Sequence, residues 1–210
     1  LPSVFRGKYK ESEHDIYTQV MTECADELGE IKYRNEVLSR MQHYDVPTRL
    51  LDITSNPLVA LFFACEGSAD VDGAVFAIKA ATTDRKQYDS DVVSILSCLP
   101  RLTYDEKSEL KRLAEENIHN FFGINSFNEK REVRRLLHEI KKEKPAFENI
   151  INPEHLLKHY FFQPRKSNNR IIRQSGAFVI FGLGNDSISI DNRYQSGFDR
   201  SESYKILIDK

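Results

Sequence analysis

At 210 residues the chain is long enough to bury a sizeable core, and one domain with an insertion fits that length better than two small ones. A 40% hydrophobic and 30% charged composition reads as globular, and no apolar run approaches the roughly 18 residues of a membrane span, so no membrane segment is expected. With 30 basic against 32 acidic residues, a net charge of -2 gives no global attraction to nucleic acid, and Cys24, Cys65 and Cys98 lie far apart without the spacing of a zinc knuckle or a disulfide scaffold. Free thiols in a reducing cytoplasm are the expectation.

The start at Leu1, without a methionine or a signal-like leader, reads as a fragment whose true N-terminus is missing. LPSVFRG is a short apolar segment and KYKESEHD a polar turn. Ile16, Val20, Met21, Cys24 and Leu28 then recur at helical spacing, predicting a helix from Asp15 to Leu28 that stops at Gly29. A second helix runs from about Lys32 to about Tyr44, and Val46-Pro47 ends it. Thr48 to Thr54 is a short loop or strand. Ser55-Asn56-Pro57 is a polar cap followed by a first-turn proline, so a helix from Pro57 to Cys65 follows; it is apolar nearly all round, which predicts burial.

GAVFAIKA after Gly73 reads as a buried strand, and Thr82 to Ser90 as a polar linker or edge. Helical patterns occupy Val92 to Leu96, Tyr104 to Phe122, Asn128 to Lys142 and Pro153 to His159, with Thr103-Tyr-Asp-Glu as a helix-start signature. LHEIKKEK and REVRR mix charge signs without interleaved aromatics, which favours a solvated face over a nucleic-acid patch. From Tyr160 an aromatic segment and a polar loop lead into a strand at Ala177 to Phe181, with further strands at Ser187 to Ile190 and Tyr204 to Ile208. Strands near both ends with helices between make the class α+β: a mixed β-sheet core from about 1–83 and 160–210, flanking helices, and a helical insertion from about 84–159, all one domain over 1–210.

The chemistry-bearing residues gather between Met41 and Glu66. His43 and Tyr44 end a helix, and Arg49, Asp52, Thr54 and Asn56 follow a proline bend. Histidine titrates near neutral pH and tyrosine stacks on flat rings, so the pair suits an aromatic or sugar group; Arg49 would fork onto a phosphate or carboxylate. Structural readings stand beside these: Arg49 and Asp52, three apart, would pair with each other, and Thr54 and Asn56 would be caps. Near the C-terminal end, Arg170, Arg173, Gln174 and Gly176 precede a strand, where Gln174 would project an amide into a cleft or lie in solvent. His155 and His159 have i, i+4 spacing without a HExxH pattern, so no metal site is expected, and no GxGxxG, Walker A or GxSxG motif is present.

Gln42 to Ala64, of the form QHYxxPTRLLDxTxNPLxALxFA, closely resembles the signature of the bacterial FRG domain family, and RIIRQSGAFVIF at Arg170 to Phe181 is similar to its second landmark. Phe5-Arg6-Gly7 spells the motif that names the family, but LPSVFRG looks more like its later PSxFR element, which makes Arg6 a minor candidate and puts the naming motif upstream of Leu1. The resemblance implies a bacterial protein in a defence-like or mobile-element setting, and a looser likeness of the family to ADP-ribosyltransferases implies a nucleotide-like ligand, with NAD as the cofactor. On that likeness His43, Tyr44 and Thr54 would meet nicotinamide, and Arg49 the phosphates, with Asp52, Arg170 and Arg6 as further ligand contacts. Gln174 stands where a glutamate is usual, and a neutral amide holds a ribose hydroxyl without stabilising an oxocarbenium charge as a carboxylate would. The competing expectation is a non-enzymatic interaction or sensor module whose polar motif knits the core and whose helical insertion meets a protein partner. A nuclease reading has only His43 and Asp52, without paired carboxylates for magnesium.

Overall fold

The computed structural model describes residues 1–66, 71–118, 123–165, 175–184 and 203–208. A 3-10 turn, Ser3–Phe5, leads into α1 (Tyr9–Glu23), which starts earlier than expected because KYKESEHD joins the helix. The chain breaks at Cys24, and a single turn, α2 (Ala25–Leu28), precedes α3 (Arg34–His43). β1 (Leu50–Thr54) leads to α4 (Pro57–Cys65), capped by the Asn56 side chain on the Leu58 N–H at 3.0 Å. β2 (Gly73–Ile78), β3 (Arg85–Gln87) and α5 (Asp91–Ser97) follow.

The middle of the chain continues with α6 (Tyr104–Asn117), α7 (Ile124–Asn128), α8 (Arg131–Glu143) and α9 (Pro153–Leu157). The Thr103 signature forms a complete capping box with Glu106 at the start of α6. α9 ends before His159, which opens β4 (His159–Gln163); β5 (Gly176–Phe181) and β6 (Ser203–Ile208) complete the described elements. The expected strand at Ser187 to Ile190 lies outside the described residues.

The fold class is α+β with a mixed sheet. Four strands lie in the order β1-β5-β4-β3; β5 runs antiparallel to β1 and β4, while β3 and β4 are parallel. Leu50 faces Ile180 and Thr54 faces Gly176 across β1 and β5. β2 and β6 form a separate antiparallel pair.

Strand alternation gives this sheet two apolar faces. Leu50, Tyr160, Phe162, Phe178 and Ile180 join the main core with α1, α3, α5, α6, α8 and α9. Phe161, Val179 and Phe181 form a second cluster with Phe5, Leu51, Ile53 and Ile78. Helices of the segment expected to be an insertion therefore share one core with the first third of the chain.

Three expectations about exposure are corrected, the first being that of a buried β2, no residue of which is buried, with Phe76 46% exposed. No residue of α4 is buried, and Leu58 and Phe62 are 71% and 61% exposed, because the helix approaches β1 and β2 on one side only. Gly73 permits that approach, as a Cβ there would meet the Ala64 carbonyl. The charged α8, expected to be a solvated face, sends Glu139 and Glu143 inward. Burial opposes ionisation of Glu139, but hydrogen bonds from Lys142 and Arg135 and the charge of Arg101 outweigh it and hold its pKa down to about 2.

Candidate functional site

The polar stretch is built on the C-terminal end of α3. Val46 N–H bonds to the Met41 carbonyl at 3.0 Å and Asp45 N–H to the Gln42 carbonyl at 3.1 Å, closing the helix as a Schellman turn with Asp45 at φ 58°. His43 and Tyr44 are thereby exposed and stack, with ring centres 5.6 Å apart at 28°. The Tyr44 hydroxyl donates to Glu27 at 2.8 Å, and that bond, reinforced by the carboxylate's charge, raises the phenol's pKa and keeps it protonated.

Gln42 links this helix end to β1. Its Nε2 donates to Asp52 Oδ2, and its Oε1 accepts from the Thr48 hydroxyl at 2.8 Å. Thr48 is buried; its backbone N–H donates to Ser3 Oγ at 3.0 Å and its carbonyl accepts from Val4 N–H at 3.1 Å. These bonds fix the register of the N-terminal turn against β1.

Arg49 and Asp52 do not pair, because residues three apart on an extended chain face opposite sides. Arg49 is 1% exposed and forks onto Glu13, with Nε 2.8 Å from Oε1 and Nη2 2.5 Å from Oε2. Its Nη1 donates to the Phe181 carbonyl at 2.8 Å, and Lys107 reaches the same Glu13 carboxylate at 2.5 Å. Burial raises the cost of charging Glu13, yet Arg49 and Lys107 hold its pKa below the usual carboxylate value; burial lowers that of Lys107. The sequence marked neither Glu13 nor Lys107 as functional. The signal was present, since Glu13 precedes Tyr17, Val20 and Cys24, and Lys107 precedes Leu110 and Ala114, at the helical spacing of a core-facing stripe.

Asp52 and Thr54 share the β1 face of Leu50, with Asp52 exposed and opposite Phe178. Thr54 Oγ1 accepts from the Asn56 N–H at 3.0 Å, so both residues serve the start of α4. Ser55 N–H bonds to the Ser175 carbonyl at 3.2 Å. Gln174 and Arg170 lie outside the described residues. Arg6 is exposed and donates to the Leu1 carbonyl at 2.9 and 3.1 Å. The structure thus joins Gln42, Asp52 and the His43–Tyr44 stack at the surface, and turns Arg49 inward.

Residues 1–73 match the FRG domain family. The match covers about a third of the 210 residues and contains α1, α3, β1 and α4. No curated protein and no solved structure matches the chain. The matched residues include PTRLLD, in which Arg49 is buried in the core and Asp52 is exposed at the surface.

Among the described residues, no group of three or more His, Cys, Asp or Glu is placed to hold a metal. His155 packs edge-on to Tyr160 and His159 stacks on Phe181, so the pair does not share a helix face. No described helix is long and apolar enough to cross a membrane, and all three cysteines are free thiols, with burial pushing that of Cys98 well above its usual pKa.

Proposed function

We propose that the FRG-matched part is a binding module for a nucleoside-like ligand, NAD foremost, using the exposed His43, Tyr44 and Asp52 with the half-buried Thr54. The observation that carries this reading is the Gln42–Asp52 hydrogen bond, which couples a half-exposed stacked aromatic pair to a surface carboxylate. A flat base or nicotinamide ring suits Tyr44, and a carboxylate suits ribose hydroxyls. Arg49, bonded to Glu13 and the Phe181 carbonyl, positions β1 rather than reaching a ligand phosphate. Arg170, Gln174 and Arg6 remain phosphate or ribose contacts within the proposal.

Calorimetric titration of NAD tests it, with nicotinamide release followed in the same samples to read ADP-ribosyltransferase-like turnover. Tyr44→Ala and Asp52→Asn should each weaken binding at least tenfold while shifting the melting temperature by only a few degrees. Absence of NAD binding to the wild-type chain overturns the reading.

The burial of the Arg49–Glu13–Lys107 cluster favours a second reading, in which the FRG signature is structural and the chain is an interaction or sensor module. Under that reading Asp52→Asn lowers the melting temperature and NAD does not bind.

A further inference from the structure

A cleft of about 540 Å³ is formed by the connection into α3, the β3–α5 turn and the chain that follows α8. It shares no residue with the His43–Asp52 strip. Its lining includes Glu143, which is 5% exposed. That carboxylate accepts from the Arg34 backbone N–H at 2.8 Å and from the Ser94 hydroxyl at 2.6 Å, and it pairs with no Lys or Arg among the described residues. Two neutral donors offset only part of the cost of burying a charge, and a cation would offset more.

The surroundings have the same bias. Lys144 is taken by Asp91 at 2.8 Å, which leaves Asp89, Glu148 and Glu143 against Lys32. The Lys32 ammonium lies 5.1 Å from the centre of the Tyr33 ring. Phe147 and the 61% exposed Ile150 add apolar lining. A buried carboxylate in a net-negative cleft with apolar lining fits a cation on an aliphatic stem, whose head is charged and whose methylenes prefer apolar contact.

We propose that this cleft binds an aliphatic ammonium or guanidinium group, with the head at Glu143 and the stem along Phe147 and Ile150. An arginine or lysine side chain of a partner and a free small amine both carry that chemistry. The test is calorimetric titration of the full chain at low salt with agmatine and with acetyl-Arg-Leu-amide. Saturable binding is expected, weakened at least tenfold in Glu143→Gln. Ile150→Arg, at an exposed position, should block both probes by supplying a guanidinium in place, and it decides the matter if Glu143→Gln does not fold. Tighter binding of the peptide assigns the site to a protein partner, and tighter binding of agmatine to a free amine. Failure of both probes to bind the intact chain, or unchanged binding in Ile150→Arg, overturns the proposal.

Discussion

Arg49 acts as an internal staple between three parts of the chain. Its guanidinium joins Glu13 of α1 to the end of β5 through the Phe181 carbonyl, and Glu13 in turn holds Lys107 of α6. Removing Glu13 leaves Arg49 and Lys107 as two unpaired buried cations, a loss of about 3–5 kcal/mol, whereas removing Arg49 leaves Glu13 paired with Lys107. Glu13→Ala should lower the unfolding free energy by that amount in urea denaturation at pH 7, and by more than Arg49→Ala does. Combining it with Arg49→Ala should cost less than the sum of the two single changes, since the double variant leaves only Lys107 unpaired where Glu13→Ala leaves two cations; strict additivity would show that the two side chains do not act together. The sequence made the residue type legible here but not its direction. Spacing alone suggested a pair with Asp52, whereas strand parity puts Arg49 and Asp52 on opposite sides of the chain, and the real partner of Arg49 lies 36 residues earlier on a helix.

Among the elements, the end of α3 shows how a local rule is bent to expose the His43–Tyr44 stack. The Schellman turn calls for a residue in the left-handed region, usually glycine, and Asp45 occupies it at φ 58° with its negative charge at a helix C-terminus. Asp45 is exposed. Asp45→Gly should therefore stabilise the chain by about 1 kcal/mol through relief of backbone strain, read as a higher urea midpoint with an unchanged slope; a lower midpoint would mean that the Asp45 side chain holds the turn. The helix starts at Asn56 and Thr103 were legible because each cap is a local hydrogen bond. β4 was not, because His159 to Phe162 are buried on both faces and show no alternation for a strand to be read from. α4 misled in the opposite way: an apolar surface all round describes what a helix would gain from burial, while its actual burial depends on neighbours distant in sequence.

At the scale of the whole molecule, the sheet divides the apolar interior, and the layer opposite the helices contains a buried histidine. His159 is 6% exposed and stacks on Phe181 at 4.5 Å, and burial depresses its pKa from 6.5 to about 4. Burial also lowers that of His155. The unfolded chain takes up these protons as pH falls through 6.5, while the folded chain holds His159 neutral until about pH 4. Its contribution is thus fully present above pH 6.5 and is lost toward pH 4. The loss amounts to about 3 kcal/mol, because each tenfold weakening of proton affinity on folding corresponds to about 1.4 kcal/mol. Glu139 adds a loss of the same sign at lower pH, between 4.5 and about 2. Urea unfolding from pH 7 to pH 4.5 isolates the histidines from that carboxylate. The wild type should lose stability steadily across this window, and His159→Phe, which retains an aromatic ring against Phe181, should lose distinctly less; equal slopes would show that His159 takes up its proton alike in the folded and unfolded chain and that its burial does not set the acid limit of the fold.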